Sequence, residues 1–120
     1  MKYCWTTLTV KDLEKSIEFY NGLIGLPIKR RFCAGPETEI CFLGDGETQI
    51  ELISSSDFTP QNEREGISMG FEVESIDKMM AILEEKGIGV HSGPFQPNPV
   101  VRFFYIKDPD GFKIQFVENL

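Results

Sequence analysis

Gln49-Ile50-Glu51-Leu52-Ile53, the stretch QIELI, alternates polar and apolar residues. That is the period of a half-buried strand, with Ile50 and Leu52 on one face and Gln49, Glu51 and Ile53 on the other. Toward the other end of the chain, Lys113-Ile114-Gln115-Phe116-Val117 repeats the pattern, and Gln115 lies 64 residues after Glu51. Function is expected on the polar face of these two strands.

The repeat extends beyond them. Val10, Leu13, Ile17 and Tyr20 meet Val73, Ile76, Met80 and Leu83 at a spacing of 63 residues. After the valines, both sets fall at helical spacing behind a capping residue, Asp12 or Ser75, and both stop at a glycine, Gly25 or Gly87. Ile24 continues the first stripe, and Phe19 and Leu23 widen it. Strands are predicted near residues 3–10, 28–33, 38–43 and through Glu51, then over 68–73, 88–92, 100–106 and the last stretch. Turns fall at 34–36, 44–46 and 108–111, and Pro94–Pro99 reads as a loop. Residues 54–65 are polar and carry a proline. The chain is thus one domain, 1–120, built of β-α-β-β-β modules over 1–57 and 66–120 with a linker over 58–65. Each helix must cover one face of a sheet, and the opposite faces are expected to form a shared concavity. The predicted fold class is α+β, two βαβββ modules in a pseudo-barrel with a concave pocket.

Composition narrows the function classes. A chain of 120 residues can bury a core without staples. A net charge of −7 argues against nucleic acid, which requires clustered Lys and Arg. The run Lys29-Arg30-Arg31 reads as a solvated strand edge, with an anionic substrate group as the alternative partner. Three cysteines without a CxxC pair read as reduced thiols, and Cys33 and Cys41 as packing residues. No apolar run approaches membrane length, so the expected setting is cytoplasmic, away from membranes. His91, the only histidine, has no partner ligand nearby in sequence and reads as an ordinary polar residue.

Alternation then selects a candidate site. Glu51 is either a solvated strand residue or a carboxylate facing an aromatic cavity, where it serves as base or hydrogen-bond anchor. Trp5, beside Thr7 and opposite Cys4 and Leu8, is expected on the concave side, where it stacks on a planar ligand or plugs the cavity. Ile40, Phe42, Phe103 and Tyr105 are assigned to the same side, and Phe104 and Ile106 to the core, unless a bulge reverses the parity.

Three stretches in order carry a resemblance. TTLTVKDLEKSIEFYNGLIGLPI (residues 6–28), QIELI (49–53) and YIKDPDGFKIQFVE (105–118) are similar to the opening strand and helix, the ligand-bearing fourth strand and the DPDG turn of the vicinal oxygen chelate superfamily. That superfamily includes glyoxalase I, extradiol dioxygenases and bleomycin-resistance proteins. The resemblance implies a glyoxalase-like fold and a homodimer. It implies metal ligands, in glyoxalase I-like members His or Glu, Glu, His and Glu, at the positions held here by Trp5, Glu51, Ser68 and Gln115. Only Glu51 is retained. Tryptophan offers no lone pair, serine is a poor ligand, and a glutamine amide is neutral and weak.

The expectation is therefore a metal-independent member, with no cofactor, that binds a planar or amphipathic organic molecule. Trp5, Thr7, Phe42, Gln49, Glu51, Ser68, Phe103, Tyr105 and Gln115 are its candidate binding residues, and Glu51 is the one candidate catalytic group. The alternative is a lactoylglutathione lyase-like lyase or isomerase, with a divalent metal held through an altered ligand set or with Glu51 alone as base. A third reading is a structural module whose cavity is filled by its own side chains.

Overall fold

The computed structural model describes residues 1–57 and 66–120. The linker predicted over 58–65 lies outside the described residues. The chain divides into two compact units, Met1–Gln61 and Asn62–Leu120.

In the first unit, β1 (Trp5–Thr9) runs parallel to β4 (Gln49–Ser55), which pairs antiparallel with β3 (Thr38–Leu43) and through it with β2 (Ile28–Cys33). The order is β1-β4-β3-β2. Parallel pairing of β1 and β4 requires a crossover, and the chain makes it through helix α1 to the far strand β2, returning by β3 to β4. This helix is α-helical over Leu13–Ile17 and widens to π-helical over Glu18–Leu23. The Asp12 carboxylate accepts the Lys15 N–H at 3.2 Å, the predicted cap. The wider turn brings the neighbours Phe19 and Tyr20 both into the core, while Leu23 and Ile24, at the end of the predicted stripe, are only half-buried. Leu8, Cys41, Leu43, Ile50 and Leu52 are buried on the helix side of the sheet, as the alternation requires.

The second unit has the same plan: β5 (Ser68–Glu72) parallel to β8 (Lys113–Asn119), then β7 (Val101–Lys107) and β6 (Ser92–Asn98), in the order β5-β8-β7-β6. Helix α2 (Ile76–Glu85) is capped by Ser75, whose hydroxyl accepts the Lys78 N–H at 3.2 Å. A second acceptor reaches its first turn: Glu118 of β8, a buried carboxylate, accepts the Ile76 N–H at 2.9 Å. A negative charge against the helix N-terminus is satisfied both by the bond and by the axial dipole. Phe104, Ile106, Ile114 and Phe116 are buried beneath this helix. Neither sheet closes on itself. Two mixed sheets with a helix on each make an α+β fold.

Four expectations are corrected. Met79, not Met80, is the buried methionine of α2, because Ile76, Met79 and Leu83 follow the spacing i, i+3, i+7 along one face. Residues 88–91 form no strand, and most of the predicted Pro94–Pro99 loop is β6. Its prolines are tolerated because β6 is an outermost strand, paired to β7 only at Ser92, Phe95 and Asn98 with the register shifting between them. Cys33 does not pack inside. It ends β2, an outermost strand in which every residue is exposed, whereas Cys41 on β3 is fully buried and its thiol pKa is raised by that burial. Exposed His91 donates its backbone N–H to the Tyr105 carbonyl at 2.7 Å.

Candidate functional site

Strand register places the candidate residues before any side chain is considered. In the first unit Thr7 of β1 lies opposite Glu51 of β4, Glu51 opposite Phe42 of β3, and Phe42 opposite Arg30 of β2. These four form one row across the sheet, on the face away from α1. The Thr7 hydroxyl donates to Glu51 Oε1 at 2.6 Å. A short bond from a neutral hydroxyl to a carboxylate fixes the direction of one oxygen and leaves the other to accept a further donor.

Trp5 and Gln49 are paired one step along the same face, Gln49 half-buried and Trp5 46% exposed. The indole meets Phe42 edge to face, with centroids 5.3 Å apart, and Phe32 lies nearly parallel to Phe42 at 6.4 Å. Arg30 lies over the Phe42 ring at 4.3 Å from its centroid, and Phe42 is 3% exposed. Phe42 is thus a floor rather than a wall: Trp5, Phe32 and Arg30 are the groups a ligand would meet.

The neighbouring cation is placed differently. Arg31 turns to the other face, where its Nε donates to Glu39 at 2.5 Å and its guanidinium pairs with Glu14 of α1. The bond from Arg31 lowers the Glu39 carboxyl pKa, and the two carboxylates raise that of Arg31. Its charge is already matched.

The same row in the second unit is chemically different. Gly70 lies opposite Gln115, Gln115 opposite Tyr105, and Tyr105 opposite Ser92. Gln115 donates from Nε2 to the Tyr105 hydroxyl at 3.1 Å. Its Oε1 lies over Gly70, 3.2 Å from where a Cβ would stand, so the absent side chain makes room for the amide. Ser68 opens β5, exposed and beside Lys113. Phe103 packs against Phe95 at 5.5 Å and against Tyr105 at 5.9 Å, and with Phe95, Gln96 and Pro97 it lines a mostly apolar hollow of about 460 Å³.

The structure therefore brings Trp5, Thr7, Phe42, Gln49 and Glu51 onto one face of the first sheet, and Ser68, Phe103, Tyr105 and Gln115 onto one face of the second. Sequence reasoning did not select Phe32 or Phe95, and it raised Arg30 only within the run Lys29-Arg30-Arg31, as the alternative to a solvated strand edge. Alternation alone separates Arg30 and Phe32 from Arg31, and that signal was present in the run of basic residues.

A divalent ion does not fit the donors present. Among Trp5, Glu51, Ser68 and Gln115 there is one carboxylate, one hydroxyl, one amide oxygen and an indole N–H that only donates. Among the described residues, no three His, Cys, Asp or Glu side chains gather as a metal cluster.

Comparison with known proteins places the fold. The family model described as the Glyoxalase/Bleomycin resistance protein/Dioxygenase superfamily matches residues 2–116. A lactoylglutathione lyase of Haemophilus influenzae is 30% identical over 99% of this chain and 93% of its own length. The crystal structure of a glyoxalase family protein from Bacillus cereus superposes with a TM-score of 0.82 at 25% identity, covering 100% of this chain and 93% of the other. TnmS3, an antibiotic binding protein from Streptomyces sp. CB03234, superposes with a TM-score of 0.77 at 22% identity over 100% of this chain and 97% of its own.

Proposed function

This chain belongs to the Glyoxalase/Bleomycin resistance protein/Dioxygenase superfamily, and from that premise we propose that it binds a small planar or amphipathic organic molecule without the aid of a metal. The observation that carries this reading is the first-unit face on which a half-exposed indole, an aromatic floor and a hydroxyl-oriented carboxylate stand together. Flat apolar surface supplies affinity, and a few fixed polar groups supply orientation. Phe103, Tyr105, Ser68 and Gln115 are further binding residues in this reading. The fold it shares with an antibiotic binding protein is consistent with such a role, by analogy of architecture alone.

A second reading is favoured by one specific finding, the identity to a lactoylglutathione lyase across nearly the whole chain. In that case Glu51 is the general base, with its carboxylate oriented by Thr7.

A calorimetric titration of candidate ligands (aromatic antibiotics, catechols and glutathione thioesters, prescreened by thermal shift) tests the choice. A planar aromatic binds with one-to-one stoichiometry, and Trp5→Ala weakens it about tenfold or more, the loss expected of a central aromatic anchor. Protein purified without chelator carries less than stoichiometric metal. Stoichiometric Ni, Zn, Mn or Fe together with turnover of lactoylglutathione replaces this reading by the lyase.

A further inference from the structure

We propose that Arg30 is an anion-anchoring residue and that the ligand of the first-unit face is an aromatic carboxylate carrying a hydrogen-bond donor at its far end. This rests on the ligand-binding reading above and narrows it to a substrate class.

Arg30 and Arg31 are neighbours in sequence with opposite placements. Arg31 is held by Glu39 and Glu14 on the helix side of the sheet. Arg30 lies on the other side, in the row with Glu51, and among the described residues no carboxylate pairs with it. Its contacts are ring faces: 4.3 Å from the Phe42 centroid and 5.5 Å from that of Phe32.

A guanidinium stacked on rings is restrained in orientation, yet its N–H groups lie in its own plane and are not consumed by the rings below. Stacking therefore presents the two-pronged donor edge that matches a carboxylate. The row also sets a length. Glu51 and Arg30 are two strands apart, about 10 Å at ordinary strand spacing. A ligand lying along that line crosses the aromatic floor, gives a proton donor to the Glu51 carboxylate and sets its own anion on Arg30. In a protein of net charge −7, an unmatched cation at this point favours the anionic end of such a molecule and fixes which way round it lies.

The test uses 6-hydroxy-2-naphthoate and its neutral amide, titrated by calorimetry into the protein. Wild-type protein binds the acid about tenfold more tightly than the amide, the size expected for a partly exposed charge-assisted pair. Arg30→Gln erases that preference, Arg30→Lys keeps part of it because a point charge replaces the fork, and Arg31→Gln leaves it unchanged. Equal affinity for acid and amide in the wild type, or a preference that survives Arg30→Gln, overturns the inference and leaves the ligand-binding reading standing. Failure of both naphthalenes to bind overturns the two together.

Discussion

Phe104→Ala lowers the free energy of unfolding by about 3–5 kcal/mol, whereas Phe103→Ala, one residue earlier, costs about 1 kcal/mol. The two side chains leave β7 on opposite faces. Phe104 is fully buried under α2, its ring 5.4 Å from that of Phe116, and truncation leaves a void that the surrounding sheet and helix cannot close. Phe103 is half-buried at the hollow beside Phe95, and its loss opens surface already in contact with water. Urea denaturation of the two variants checks the ranking. If Phe103→Ala proved the more damaging, the facing of β7 and the assignment of Phe103 and Tyr105 to the binding side would both be wrong.

Gly93→Ala lowers stability by about 2–4 kcal/mol, the sum expected of a left-handed backbone angle and a blocked side chain. Gly93 has φ +101°, and a Cβ there would stand 3.0 Å from Phe104 Cβ, 3.1 Å from Phe104 Cα and 3.2 Å from the Phe103 carbonyl oxygen. Two of these three atoms are backbone of the adjoining strand, so neither can swing aside. Gly87, which follows the end of α2 with φ +71° and nothing within 4 Å of its would-be Cβ, separates the two contributions. Gly87→Ala costs about 1 kcal/mol, the conformational part alone. Thermal or urea midpoints of the two variants measured side by side test the difference, and equal losses would show that crowding at Gly93 is relieved by movement of β6.

The architecture was legible in the sequence because its signals are local and doubled. Gln49–Ile53 and Lys113–Val117 each show the strand period alone, and a common spacing between two helices and two strands is hard to produce except by repetition. What was hidden depends on neighbours distant in sequence. Pro94 and Pro97 argue for a loop until β6 is known to be outermost, since a proline is excluded from the middle of a sheet and tolerated at its margin. The adjacent Met79 and Met80 differ by one step around the helix, less than a stripe with two flanking residues can resolve. At the site, alternation put Glu51, Thr7 and Phe42 on one face, but the Thr7–Glu51 bond joins residues 44 apart through the parallel register of β1 and β4. The run Lys29-Arg30-Arg31 carries no mark of which cation is matched. That emerges only when Glu14 of α1 reaches Arg31 and ring faces reach Arg30.

The broken outer strand of the second unit has a further consequence, for crowding and storage. Strands with intact margins recruit copies of themselves and seed fibrils. Because β6 lacks amide hydrogens at Pro94 and Pro97 and changes register twice along its length, it offers an incoming peptide no continuous template. Concentrated solutions of this protein are thereby shielded at that margin from amyloid-like growth, whatever molecule the first unit receives.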